Sequence, residues 1–188
     1  GLGIQMLLYL FTLEKEGQQH FGYPIVPCGV LYQPARDVIL RLDRNVTDEK
    51  LKAEMRSALR RTGLVLGEPE VLQAMEHQAL EAPCYLPIKV KKDGQVTEGV
   101  ASAAQLGYLG RYVDRLLYQI TEEIAGGNID ADPYTRSVQE NACTYCAFAS
   151  ACCFEEGRDR RRQLHKTDQD AFWALLETQS REVPHGRN

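Results

Sequence analysis

The stretch CTYCAFASACC, residues 143–153, sets Cys143, Cys146 and Cys152 in the spacing C-x2-C-x5-C. Thiols three residues apart can converge on one metal or cluster edge, whereas two cysteines that close seldom pair with each other as a structural disulfide. A bound metal centre is therefore the leading reading of this region. Cys153, beside the third cysteine, leaves open which of the adjacent thiols points inward. Three readings compete. A zinc knuckle uses four nitrogen or sulfur donors in a tetrahedron. An iron–sulfur cluster uses four thiolates, commonly with one donated from far along the chain. Ordinary buried cysteines behave as small hydrophobes. The other candidate donors, Cys28, Cys84, Cys153 and the four histidines, stand at no recognisable metal spacing, so the expected site is one ligand short.

The rest of the composition is that of an ordinary globular chain. Its 188 residues are enough to bury a core, and 44% apolar with 26% charged residues argue against disorder or a fibrous class. A net charge of −4 gives no global attraction to nucleic acid, so any such contact has to come from a local patch. Six cysteines without a charged leader and small-residue cleavage site suit a reducing cytoplasm better than a secreted disulfide scaffold. The apolar run from Met6 to Leu13 is too short to span a bilayer, and no membrane partner is expected. The chain opens without an initiator methionine and with an apolar helical pattern already running, which suggests part of something longer.

Periodicity supplies the elements. Ile4, Leu7, Leu8 and Phe11 predict a helix from Gly3 to about Glu16 with Gly17 as its stop, and Gln5 and Tyr9 share one face of it. Residues 25–32 and 36–43 read as a β-hairpin turning at Gln33-Pro34-Ala35. Asp48 can cap a helix running to about Arg61 that Gly63 ends, with Leu51, Met55 and Leu59 as its apolar line. A short helix fits 69–77, with Pro69 in the first turn and Val71, Leu72 and Met75 facing inward. Residues 85–99 form a second hairpin candidate around Asp93-Gly94, its lysines Lys89, Lys91 and Lys92 guarding a solvated edge. Ser102-Ala103-Ala104-Gln105 is a capping box opening the strongest helix, whose apolar stripe runs from Leu106 through Leu109, Val113, Leu116, Leu117 and Ile120 to Ile124. Thr167 with Asp170 can start a last helix carrying Phe172, Trp173, Leu175 and Leu176, and a loose polar tail is expected from Gln179.

Three segments taken together resemble a known family: Gly-Leu-Gly-Ile-Gln5-Met-Leu-Leu-Tyr9; the run from Pro27-Cys28-Gly through Tyr32-Gln-Pro-Ala-Arg-Asp37; and Asp132-Pro-Tyr134 followed by the cysteine triplet. They are similar to the C-terminal part of the B subunit of bacterial AddAB-type ATP-dependent helicase/deoxyribonucleases, whose nuclease domain is RecB-like and of the PD-(D/E)XK kind. The resemblance runs over nearly the whole chain. It implies an α/β fold, the C-terminal portion of such a nuclease domain. Residues 1–140 would be nuclease core, 141–178 a cysteine-rich cluster-binding lobe with the terminal helix, and 179–188 a flexible tail. Gln5 and Tyr9 match the accessory Q-x3-Y motif, and an amide and a phenol one helical turn apart can offer hydrogen bonds side by side to a phosphate or carboxylate.

The resemblance further implies a Mg²⁺-dependent exonuclease, a helicase-nuclease A subunit as partner and DNA as substrate, with break resection and recombinational repair as the setting. Cys143, Cys146 and Cys152 match the clustered ligands of a 4Fe-4S cluster whose fourth cysteine lies far upstream. No Asp-x-Lys or Glu-x-Lys strand stands before Gln5, so the chain is expected to be inactive alone. Arg158, Arg160, Arg161, Arg162, His165 and Lys166 form the densest basic stretch and are candidates for phosphate contact, although Glu155, Glu156 and Asp159 dilute it. Two rival readings remain. One is a zinc-stapled DNA- or protein-binding module without catalysis. The other is a free-standing CRISPR-associated exonuclease, disfavoured because such an enzyme should carry its own acids before Gln5.

Overall fold

The computed structural model describes residues 3–35 and 37–181, and the chain packs as two units, Gly1–Asp114 and Arg115–Asn188. The architecture mixes helices with small sheets, in keeping with the α/β expectation.

In the first unit, α1 (Gln5–Phe21) overruns its expected stop. Gly17 stays helical because it is a packing residue: a β-carbon there would lie 2.7 Å from the Ile25 side chain. The helix ends instead at Gly22, which takes the left-handed conformation and donates its N–H to the Gln18 carbonyl. Phe11, buried at 6% exposure, lies against Gly110, where an added β-carbon would be 3.2 Å from its ring.

Strand β1 (Gly29–Tyr32) does not pair with residues 37–43, which form no strand, and Arg36 lies outside the described residues. Burial alternates along 37–43, with Ile39 at 89% exposure, but no ladder joins it. After helix α2 (Asp48–Ala58), β1 finds its partner in β2 (Thr62–Leu66), antiparallel, with Leu31 opposite Gly63. Gly63 is therefore a strand residue and not a helix stop. Its φ of 143° and the 2.0 Å that would separate a β-carbon from the Val30 carbonyl oxygen exclude any side chain there. Helix α2 is capped by Thr47 and not Asp48, the Thr47 hydroxyl accepting from the Lys50 N–H, and none of its residues is buried.

Helix α3 (Pro69–Met75) starts on its proline as expected and buries Leu72, while Met75 faces solvent. The foreseen hairpin forms between β3 (Lys89–Val90) and β4 (Val96–Thr97), and Lys89 is tied to Glu98 at 2.7 Å. Strand β5 (Val100–Ala101) then pairs parallel with β2, completing a three-stranded sheet in the order β1-β2-β5.

The core of this unit gathers Val65, Leu72, Ala79, Leu86 and Ile88, all at 0% exposure. Leu86 and Ile88 enter it from a segment with no strand partner, so that segment's polar backbone has to be satisfied by other means. The Glu76 carboxylate accepts from the N–H groups of Cys84 at 2.6 Å, Tyr85 at 3.1 Å and Leu86 at 3.0 Å. From the other side the Arg60 guanidinium donates to the carbonyls of Leu86, at 2.9 Å, and Ile88.

Helix α4 (Ala103–Ala125) opens on a reciprocal capping box, Ser102 Oγ accepting from Gln105 N–H at 3.1 Å and Gln105 Oε1 from Ser102 N–H at 2.8 Å. Its stripe is buried only in the first half, at Leu106, Leu109 and Val113; Leu117, Ile120 and Ile124 are exposed. The second unit adds β6 (Tyr134–Thr135), the single-turn helix α5 (Ala149–Cys152), β7 (Arg162–Gln163) and α6 (Gln169–Arg181). Asp168, and not Thr167, caps α6 by accepting from Ala171 N–H at 3.2 Å. Trp173 and Leu176 are buried, whereas Leu175 is half exposed. The helix persists past Gln179, whose carbonyl accepts from Arg115 at 2.9 Å; residues 182–188 of the expected tail lie outside the described residues. Among the described residues no helix is long and apolar enough to cross a membrane.

Removing the Glu76 acceptor strands the N–H groups of Cys84, Tyr85 and Leu86, of which the Cys84 and Leu86 bonds are partly shielded from water, and a lost buried acceptor costs about 1–3 kcal/mol. Glu76→Ala is expected to lower the urea midpoint accordingly with an unchanged slope, and Glu76→Gln, which keeps one acceptor oxygen, to lower it less.

Candidate functional site

In the first unit the Q-x3-Y pair stands on the first turns of α1. The i,i+4 spacing brings Gln5 and Tyr9 together, with the amide Nε2 donating to the phenol oxygen at 2.9 Å. Both are exposed, Tyr9 at 54%, so neither fills the core. The remaining amide hydrogen and the phenol hydrogen are left to donate outward, which suits an anionic oxygen of a phosphate or carboxylate.

The cysteines belong to the second unit, on a loop closed at its base. Strands β6 and β7 run parallel with Tyr134 opposite Arg162 and Thr135 opposite Gln163. The Arg162 N–H donates to the Pro133 carbonyl at 3.0 Å and the Leu164 N–H to the Thr135 carbonyl at 2.8 Å. The Arg162 side chain adds a bond to the Asp132 carbonyl at 2.8 Å and an ion pair with its carboxylate at 3.3 Å.

Inside the loop, Asn141 Oδ1 accepts from the N–H groups of Cys143 at 2.9 Å and Thr144 at 3.0 Å, an Asx-type turn that launches the triplet. Successive turns follow, Cys146 N–H to the Cys143 carbonyl and Ala149 N–H to the Cys146 carbonyl, both 3.3 Å. Helix α5 ends at Cys152, and Cys153 adopts the left-handed conformation with φ of 51°.

All six cysteines are free thiols; Cys143 is half-buried and Cys146, Cys152 and Cys153 are exposed. The donor chemistry suits a thiolate-bound metal or cluster, and the three thiols share one short closed loop. Their side chains are nevertheless not gathered: among the described residues no group of three or more Cys, His, Asp or Glu is placed to hold a metal ion. That holds for the divalent metal of a nuclease site as it does for the thiols.

The arginine run is largely engaged within the lobe. Arg158 pairs with Glu155 at 3.1 Å and Arg162 with Asp132, as above. Arg161 grips Glu156 through Nε at 3.0 Å and Nη2 at 2.5 Å and lies over the Phe154 ring at 4.7 Å. The hydrogen bond between them holds the Glu156 carboxyl below its ordinary range and the Arg161 guanidinium above its own. A lowered carboxyl contributes its stabilisation above the unfolded pKa and loses it as pH falls through the folded value, so this tie is a neutral-pH feature that fails only in acid.

Arg160, His165 and Lys166 are exposed, and their side chains make no ion pair or hydrogen bond among the described residues. The interleaved Glu155, Glu156 and Asp159 were the signal in the sequence that some arginines would be consumed locally. What spacing alone did not reveal is the solvent exposure of two aromatic rings within the triplet, Tyr145 at 96% and Phe148 at 75%.

The model of the PD-(D/E)XK nuclease superfamily matches residues 1–153, from α1 through the cysteine triplet. The chain is similar to the B subunit of the ATP-dependent helicase/deoxyribonuclease of Acetivibrio thermocellus, 30% identical over 186 residues, which is 97% of this chain and 16% of that protein. The protein of the same name from Clostridium acetobutylicum is 31% identical, again over 97% of this chain and 16% of the relative, and that of Desulforudis audaxviator is 33% identical over 94% and 15%. The chain thus spans about 16% of the length of the curated relatives it matches. Because the superfamily match takes in the paired Gln5 and Tyr9, the sheet and the first unit's core as well as the cysteine loop, the chain belongs to the PD-(D/E)XK nuclease superfamily.

Proposed function

We propose that the chain serves as part of the nuclease domain in the B subunit of an ATP-dependent helicase/deoxyribonuclease, hydrolysing DNA strands with Mg²⁺ during resection of broken ends. The observation that carries this reading is the superfamily match over residues 1–153, together with near-end-to-end similarity to proteins named as that subunit. On this reading residues 1–140 serve the nuclease core and 141–178 the cysteine lobe, the partner is a helicase-nuclease A subunit, and the setting is the bacterial cytoplasm. Mg²⁺ would supply charge neutralisation and an activated water at the scissile phosphate. The chain's own contribution is positional: the exposed amide and phenol of Gln5 and Tyr9 present donors to a strand phosphate or to a catalytic carboxylate.

Cys143, Cys146 and Cys152 are assigned as three ligands of a 4Fe-4S cluster, with the fourth from elsewhere in the same polypeptide. A centre of that kind would draw together side chains that the loop now holds near one another in sequence, and metal binding of this sort contributes directly to folding. Of the basic residues, Arg160 and Lys166 are the ones whose charge is left for phosphate. Arg158, Arg161 and Arg162 first serve the lobe, although exposed ion pairs are weak enough to exchange for a phosphate.

The subunit carrying this chain, assembled with its partner, should degrade linear DNA with Mg²⁺ and ATP. Gln5→Ala and Tyr9→Phe should each slow cleavage by about ten-fold, the equivalent of one hydrogen bond, without shifting the melting temperature. Absence of strand cleavage in the assembled complex would remove the reading. For the cysteines, protein purified without oxygen should be brown and contain iron with acid-labile sulfide, and Cys146→Ala should bleach it. A colourless protein with stoichiometric zinc would instead support the zinc-stapled binding module.

A further inference from the structure

We infer that Arg60 and Arg61 form a phosphate site, filled by a phosphodiester of the DNA strand being degraded. Resting on the DNA-processing role proposed above, this places a contact point in the first unit, apart from the Gln5–Tyr9 pair and the cysteine loop.

The two arginines follow one another where α2 gives way to β2. Both are half-buried, and both line one cavity of about 490 Å³ together with Ser57, Thr62, Pro87 and Glu98. Arg60 donates through Nε to the Leu86 carbonyl at 2.9 Å and through Nη2 to the Ile88 carbonyl. Those neutral acceptors fix the guanidinium without cancelling its charge. Arg61 has its backbone N–H on the Tyr85 carbonyl at 3.0 Å, while its guanidinium makes no hydrogen bond or ion pair among the described residues. The carboxylate in the cavity wall serves neither arginine: Glu98, on left-handed backbone with φ of 57°, is tied to Lys89 at 2.7 Å.

Neighbouring like charges partly withdrawn from water repel one another and lose solvation, and an anion in their shared cavity relieves both costs. The hydroxyls of Ser57 and Thr62 also make no hydrogen bond among the described residues. Guanidinium forks flanked by hydroxyls suit the tetrahedral oxygens of a phosphate better than the planar oxygen pair of a carboxylate. Because Arg60 is already held by two carbonyls, its fork needs little further ordering when a ligand arrives.

The test uses the subunit carrying this chain, assembled with its partner, and a forked duplex with thymidylate tails of both polarities. Binding is read by fluorescence anisotropy at several salt concentrations, without Mg²⁺ or ATP so that the DNA is neither cut nor moved. Arg61→Ala should weaken binding by about ten-fold and lower the salt-dependence slope by about 0.7, the loss of one single-strand phosphate contact. Arg61→Lys should keep the slope. Single phosphates are then replaced, position by position, with uncharged methylphosphonates. One position should weaken the unmodified complex by about ten-fold and leave the Arg61→Ala variant unaffected. The variant should melt at the unmodified temperature, since its lost guanidinium held no protein group.

A methylphosphonate profile that is the same in both proteins overturns the site. So does a fall in the variant's melting temperature, because the guanidinium is then neutralised by a carboxylate elsewhere in the assembly. A complex that cleaves DNA with Mg²⁺ and ATP yet shows no coupling between Arg61 and a phosphate sinks the site alone. One that neither cleaves nor binds sinks the nuclease reading and the site together.

Discussion

Residues 84–88 are held between two opposite charges, and the first unit depends on that grip. The segment carries Leu86 and Ile88 into the core at zero exposure yet has no neighbouring strand to satisfy its backbone. Glu76 takes three of its N–H groups and Arg60 two of its carbonyls, so the polar chain can accompany its apolar side chains inward. From this point the chain proceeds through the β3–β4 hairpin to β5, which docks beside β2, and α4 departs directly afterwards from its capping box. The position of α1, and with it the Gln5–Tyr9 pair, follows from Phe11 lying against Gly110 of that helix.

The cysteine lobe is organised on a different principle. Its order comes from closure of the loop by β6 and β7, from the Asn141 turn and from ion pairs at the surface, with most of its residues solvated. Exposed ion pairs contribute little each, and short isolated ladders little more, so such a lobe sits at the low end of local stability. A loop of that kind gains most from an added crosslink, which is the physical sense in assigning an inorganic centre to its three thiols. Arg161 has a dual part here: it stacks on Phe154 and pairs with Glu156, fixing the segment that follows the triplet.

Features written in local chemistry were readable from the chain. The capping box at Ser102 and Gln105, the proline start of α3, the Asp93-Gly94 hairpin and the common face of Gln5 and Tyr9 all formed as the residues predicted. The errors at the glycines and at the first sheet share one cause. Gly17 and Gly63 carry the residue type that ends helices, but one is a packing site for Ile25 and the other a strand crossing, and a glycine does not say which neighbour needs its missing side chain. The partner of β1 was misassigned for the same reason. Residues 37–43 have the alternation of a strand, yet β1 pairs with β2, beyond an intervening helix. In the arginine run the charge pattern was visible, but the division into consumed and free cations was not.

Residue types and their order were enough to say which groups could do chemistry: three closely spaced thiols, an amide and phenol one helical turn apart, and a basic run interrupted by acids. They were enough for the family as well, because those elements stand in a set order along one chain. Which side chains meet was settled by folding in three dimensions. Folding placed Gln5 and Tyr9 in solvent and in contact, left the three thiols ungathered, set Arg161 against Glu156 and Phe154 and left Tyr145 and Phe148 in the open. The reason is physical: spacing along the backbone constrains neighbours within a turn or two, whereas exposure and partnership depend on distant segments whose approach is set by packing and backbone hydrogen bonding.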